Sequence, residues 1–230
     1  MSDIRQTDFT GIVALDIAAE FNHRVANHLA ILAGAVQMKQ RAIIRSPGMM
    51  PSTEVADILR EIAARIVSMS QIHRTLAIEP YEDSIDLSQY LSENSANLIS
   101  TLGLGTQAIV HHIDGIDCFV PAGNARSIAL IMTEVLMNAI KYAHPTGIPV
   151  KIDISCRRGT EGNLILEIAD DGIGLPEGFD PMCDGGMGFK LIRSLAQSVG
   201  AIMSVESDAL GTTFRFLFEG MECDADTAGK

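Results

Sequence analysis

Basic side chains are scarce in this chain. It has 17 Lys and Arg against 29 Asp and Glu, a formal charge of −12 at neutral pH. An acidic surface repels phosphate backbones and anionic headgroups, so neither nucleic acid nor membrane is an expected partner. Long apolar runs are missing too. Nothing approaches the roughly 20 residues a membrane span needs, and no signal peptide opens the chain. Cysteine is sparse: Cys118, Cys156, Cys183 and Cys223 lie far apart with no C-x-x-C spacing. No disulfide framework or metal site is expected from them, and a reducing cytoplasm is the expected location. His111 and His112 have no ligand-type neighbours at useful spacing and are read as structural.

What is present is the composition of a folded protein. Of 230 residues, 47% are hydrophobic and 20% charged, enough for two modest domains with real cores. A helix is expected from about Thr10 to Arg45, ended by Ser46-Pro47-Gly48. Thr53 is a candidate cap for a second helix. There Val55, Leu59, Ile62, Ile66, Met69, His73 and Leu76 repeat in a four–three pattern. Together the two make a helical hairpin over residues 10–80. Its apolar seam is long for a lone hairpin, and a homodimeric four-helix bundle is the expected way to bury it. Glu79 to Asp83 reads as a linker. From Ile85 helices and strands alternate: Leu87–Ser100, Ala108–Ile113, Ala125–Ala143, Pro149–Cys156, Leu164–Ala169, Phe189–Val199 and Thr213–Phe218. That order suits an α/β sandwich over residues 85–220, with helices on one face of a sheet.

The densest chemistry runs from Leu166 to Gly188. An apolar strand delivers Asp170 and Asp171 into a turn bracketed by Gly172 and Gly174. A second cluster, Gly185-Gly186-Met187-Gly188, opens a helix-like segment. Glycines let a backbone approach a ligand closely and turn several N–H groups toward an anion. Upstream, Glu134, Asn138, Lys141 and Tyr142 are spaced to share one helix face. The carboxamide of Asn138 suits Mg²⁺, a hard cation that prefers oxygen, and Lys141 suits phosphate.

These segments resemble the GHKL ATPase fold of gyrase, MutL and histidine kinases. Glu134 to Tyr142 resembles its N box, and Asp170-Asp171-Gly172-Ile173-Gly174 its Asp-x-Gly-x-Gly box. Gly186-Met187-Gly188 is similar to the second glycine box, and Gly211-Thr212-Thr213-Phe214 to the closing Gly-Thr motif. Phe189 departs from the leucine usual after the second glycine, and the short Pro176–Gly185 segment implies a small ATP lid. The resemblance implies that Glu134, Asn138, Lys141, Tyr142, Asp170, Gly172, Gly174, Gly186, Gly188 and Thr212 bind ATP. Asn138 would hold Mg²⁺.

Near the amino terminus, Glu20-Phe21-Asn22-His23-Arg24-Val25-Ala26-Asn27 resembles the phospho-acceptor box of the second HisKA class and the related HWE histidine kinases. Tyr142-Ala143-His144-Pro145 fits the same class. The resemblance implies that His23 is the phosphoryl acceptor, with Glu20, Arg24 and Asn27 in the catalytic box. The residues agree. Phe21, Val25, Leu29, Leu32 and Val36 make an apolar stripe, and His23 lies about 200° around the helix from Phe21. Glu20 and Asn27, at i−3 and i+4, share its outward face, and Glu20 can hold one ring proton while the other nitrogen attacks. His28 and His73 are read as packing residues.

The expected function is an ATP-dependent histidine autokinase that passes phosphate to an aspartate of a response regulator receiver domain. The alternative is a histidine phosphotransferase or phosphatase on the same scaffold with a vestigial ATP site. Intact glycine boxes favour the first. An anti-sigma serine kinase would lack the histidine-bearing hairpin. Only about a dozen residues precede the first helix, too few for a sensor domain. A trimmed chain, a separate sensor protein and a relay role all stay open.

Overall fold

The computed structural model describes residues 26, 29–30, 32–34, 36–41, 43–45, 48–75, 84–101, 107–113, 118–144, 148–159 and 163–220. Contacts divide the chain into two units, residues 1–62 and 63–230. In the first, the described residues between 26 and 45 are helical (α1); helix α2 (Ser52–Thr75) begins there and runs on into the second. Helix α2 starts at Ser52, with the Pro51 carbonyl accepting from Val55 N–H at 3.2 Å, so Thr53 lies inside the first turn rather than capping it. Lys39 Nζ meets Glu61 at 3.1 Å within this unit.

The expected seam of α2 is only partly covered. Met69 is buried, Val55 and Ile62 are half-buried, and Leu59 and Ile66 remain 61% and 49% exposed. The buried stripe of α2 is instead Ala64, Arg65, Ser68 and Met69. The second half of α2 thus packs within the α/β unit on a face offset from the apolar seam, and that face carries a charge. The side chains of His73 and Leu76 lie outside the described residues.

The second unit holds β1 (Ser84–Asp86), α3 (Leu87–Thr101), β2 (Ala108–Ile113), β3 (Phe119–Pro121), α4 (Ala122–Tyr142), β4 (Val150–Arg158), β5 (Leu164–Asp170), α5 (Met187–Ser198), β6 (Ala201–Asp208) and β7 (Gly211–Phe218). The main sheet has the order β2-β4-β5-β7-β6; β2–β4 is parallel and every other pair antiparallel. Strands β1 and β3 form a separate antiparallel pair. Alternation sets the faces. On β7, Phe214, Phe216 and Phe218 point inward and Thr213, Arg215 and Leu217 outward. Ile152 and Ile154 of β4 and Leu164, Leu166 and Ile168 of β5 join the same inner face. Fully burying a side chain of this size contributes about 1.5–3 kcal/mol. Helix α4 packs against this face between α3 and α5, and Ile128, Ile131, Met132 and Leu136 are fully buried.

On the outer face, Arg215 Nε reaches Glu167 at 2.9 Å and its Nη1 reaches Glu206 at 3.0 Å; Arg157 joins Glu167 at 3.4 Å. One cysteine expectation fails: Cys118 is disulfide-bonded, while Cys156 and Cys183 are free thiols. Spacing along the chain carries no signal for a bridge that closes through the fold. No described helix is long and apolar enough to cross a membrane.

Candidate functional site

Strand β5 ends on Asp170, whose register partner on β7 is Thr212. Asp170 Oδ1 accepts from Gly172 N–H at 2.9 Å and from Thr212 N–H at 3.3 Å. Its other oxygen accepts nothing among the described residues and is left for a ligand. Burial raises the carboxyl above its ordinary range, against the lowering effect of those two N–H groups. Gly211 explains how β7 comes so close. Its φ is +144°, and a Cβ there would collide with the Asp170 carbonyl oxygen.

The turn after β5 is pinned on two sides. A Cβ on Gly172 would lie 2.6 Å from Ala143 Cα, so only glycine lets the turn lie against the end of α4. There Ile173 N–H donates to the Ala143 carbonyl at 3.0 Å. On the other side Leu175 N–H donates to Ser207 Oγ at 2.7 Å, and Gly174, at φ +75°, abuts the Asp208 carbonyl. Asp171 turns away from Asp170. Its Oδ1 accepts from Lys151 N–H at 2.9 Å and meets His144 Nε2 at 3.0 Å. Burial pushes the Asp171 carboxyl up, but these partners outweigh it and hold the group below its usual range.

Helix α4 carries four of the predicted residues, and they separate by depth. Glu134 is buried, Asn138 is half-buried, and Lys141 and Tyr142 are exposed at the helix end. There Lys141 Nζ sits 5.0 Å from the centre of the Tyr142 ring. Gly188 faces the middle of this row. A Cβ on it would stand 2.9 Å from Asn138 Oδ1 and 3.3 Å from Glu134 Oε2. The N box and the second glycine box thus meet with no room for a side chain between them. Asn138 Nδ2 is buried without a hydrogen-bond partner among the described residues. An orphaned amide is costly unless a ligand satisfies it.

Gly186 caps α5 without any side-chain hydrogen bond, and no acidic residue lies in its first turn. The N–H groups of that turn are therefore open to an anion. The short lid before it is held by Arg193, whose Nη1 donates to the carbonyls of Pro181 and Asp184, both at 2.8 Å. Phe189 is explained here too. Its ring packs between Phe179 at 5.1 Å and Phe214 at 5.6 Å, joining lid to sheet.

The ten predicted nucleotide residues thus fall at the carboxyl end of β5, the start of β7, the face of α4 and the start of α5. The predicted phospho-acceptor residues Glu20, His23, Arg24 and Asn27 lie outside the described residues. Sequence reasoning missed Ser207, Arg193 and Arg65. Arg65 donates from Nε to Glu134 Oε1 at 2.7 Å and from Nη2 to Oε2 at 2.8 Å. Its only signal is an arginine beside the apolar seam of α2, which ordinarily reads as a solvated face.

The donor set fits a nucleotide: an open carboxylate oxygen for a base amino group, an orphaned amide, and an uncapped helix start for phosphates. Comparison with known proteins agrees. Residues 20–102 match the HisKA_2 family, described as histidine kinase. Residues 123–220 match the family described as histidine kinase-, DNA gyrase B-, and HSP90-like ATPase. The blue-light-activated histidine kinase 2 of Erythrobacter litoralis is 27% identical over 84% of this chain and 54% of its own length. The sensor histidine kinase PdtaS of Mycobacterium tuberculosis is 21% identical over 78% of this chain and 34% of its own. The solved Erythrobacter litoralis EL346 blue-light-activated histidine kinase superposes with a TM-score of 0.63 at 26% identity, over 87% of this chain and 57% of that one. The chain spans about half the length of the first of these relatives, and less of PdtaS.

Proposed function

Because both of its matched segments are modules of histidine kinases, the chain belongs to that family, and we propose that it is an ATP-dependent histidine autokinase serving a response regulator. The observation that carries this reading is that two glycine segments abut α4: Gly188 lies against Asn138, and Gly172, whose N–H Asp170 holds, lies against Ala143 at the helix end. Asp170 takes the adenine amino group through its open oxygen. Asn138 holds Mg²⁺ through Oδ1, and the cation supplies charge neutralisation for the phosphates. Lys141 and the first-turn N–H groups of α5 add positive potential, and Thr212 and the glycines shape the cradle. Catalysis in such a site is mostly positioning and electrostatics.

His23 is the acceptor, with Glu20, Arg24 and Asn27 around it on the first helix, and the receiver aspartate takes the phosphate onward. Residues 10–80 act as the dimerisation and phosphotransfer module and 85–220 as the ATP-binding module, in a cytoplasmic homodimer. Exposed Leu59 and Ile66 on α2, and Leu29 and Val36 on α1, support the dimer. Incubation with γ-labelled ATP and Mg²⁺ tests the reading. Acid-labile, base-stable label on the wild type, lost in His23→Ala with ADP binding retained, is the expected result. Undiminished label on His23→Ala refutes the acceptor. Failure of the wild type to bind ATP supports a phosphotransferase with a vestigial nucleotide site.

A further inference from the structure

Helix α2 brings one buried charge to the nucleotide cradle that none of the nucleotide motifs contains. Arg65 and Glu134 are only 4% and 2% exposed, and their two parallel hydrogen bonds fix the plane of the carboxylate. Burying two charges costs desolvation that the pairing only roughly repays, so stability is a weak reason for such a pair. Its position is a stronger one. Glu134 Oε2 and Asn138 Oδ1 lie 3.3 Å and 2.9 Å from the point where a Gly188 Cβ would stand. The carboxylate is therefore beside the groups that receive the phosphates under the proposed function, on which this inference rests.

A free carboxylate at that position favours a wasteful reaction. In hydrolysis a water oxygen forms the new bond to the γ-phosphorus. The bond to the β–γ bridging oxygen breaks, ADP leaves with its electron pair, and the water proton passes to the base. Transfer to histidine breaks the same bond, but the imidazole nitrogen attacks with its own lone pair and needs no water.

We propose that Arg65 selects the phosphoryl acceptor: by engaging both oxygens of Glu134 it keeps that carboxylate from activating water, so that bound ATP is spent on the histidine. Arg65 is a positioning residue, acting through Glu134 rather than on the nucleotide. A guanidinium stays charged at every working pH, and its fork matches a carboxylate as an ammonium does not.

The full chain, Arg65→Ala, Arg65→Lys and the double variant Arg65→Ala/Glu134→Gln are incubated with γ-labelled ATP and Mg²⁺. Free phosphate and acid-labile protein phosphate are counted separately, and ADP binding is measured by calorimetry. A freed general base raises phosphate release about tenfold or more in Arg65→Ala. The ratio of free phosphate to phosphohistidine rises with it. The double variant, with no carboxylate left to take the proton, releases phosphate more slowly than Arg65→Ala, which a merely structural role for Arg65 would not produce. Unchanged or slower release from an Arg65→Ala protein that still binds ADP overturns the proposal. If that variant loses ADP binding because the buried Glu134 has lost its guanidinium, Arg65→Lys decides: faster release supports the proposal and no change overturns it. Absence of phosphohistidine in the wild type would refute the kinase reading instead, and the phosphate-release comparison would still report on Arg65.

Discussion

Replacing Asp170 with Asn should move nucleotide affinity and stability in opposite directions. The asparagine oxygen can still accept from Gly172 N–H and Thr212 N–H, which Asp170 Oδ1 now does at 2.9 and 3.3 Å. The turn therefore keeps its anchor. The open carboxylate oxygen becomes an NH₂ group, so a donor faces the adenine amino donor. Losing a hydrogen bond to a charged group costs about 1.5–3 kcal/mol, or roughly ten- to a hundredfold in Kd. ATP and ADP should weaken alike, because the contact is to the base. Stability runs the other way. Burial raises the Asp170 carboxyl in the folded state. A raised carboxyl contributes stability fully present below its unfolded pKa, and that contribution is lost as pH rises through the folded value. Above that folded value the wild type has lost it, whereas Asn never carries the charge. The nucleotide-free variant should therefore melt at or above the wild-type temperature. Calorimetric titration with ADP and a thermal melt without nucleotide check the two halves. Equal ADP affinity would refute the role of the open oxygen. A melt several degrees lower would refute the view that burial of this charge costs stability.

Gly188→Ala adds a methyl against Asn138 and Glu134 in the first turn of a helix, where alanine is otherwise preferred by up to about 1 kcal/mol. It should abolish ADP binding while changing the melting temperature little; retained binding would mean that the cradle opens elsewhere. Burial raises the Glu167 carboxyl, but Arg215 and Arg157 outweigh it, so its folded pKa lies below 4.5. Its contribution is present above pH 4.5 and is lost as pH falls through the lower folded value. Arg215→Met should therefore flatten the acid limb of the melting curve, and an identical limb would refute the pairing. If the proposed dimer forms through this seam, Leu59→Glu with Ile66→Glu, which puts charge on exposed positions, should halve the mass seen by light scattering with melting little changed; an unaltered mass would refute a dimer through the seam.

The fold of the α/β half and the positions of its motifs were largely legible because their determinants are local. Asp170 to Gly174 and Gly186 to Gly188 are contiguous, and Glu134 and Asn138 are one helical turn apart. Strands β4, β5 and β7 announce themselves by alternation. Strand β6 escaped because it is an edge strand, half-buried on one face at most, with Ser204, Glu206 and Asp208 among its exposed residues. Strands β1 and β3 are three residues each, too short for any period to register. Arg65 and Glu134 are 69 positions apart, and the charge reads as solvent-facing until the fold joins them. The His144–Asp171 contact spans 27 positions and was hidden in the same way.

The missing cap on α5 has a consequence for how order is distributed before and after binding. Gly186 offers no side-chain acceptor, so the amides of Met187, Gly188 and Phe189 rely on whatever anion arrives. With a phosphate there, the helix dipole and the ligand complete each other, and the first turn gains the acceptors its own sequence omits. Those amides should exchange with solvent deuterium much faster in the free protein than in the ADP complex, while the buried Leu195–Ala196 end of the same helix changes little. The ligand is in this sense the last piece of secondary structure, supplied from outside the chain.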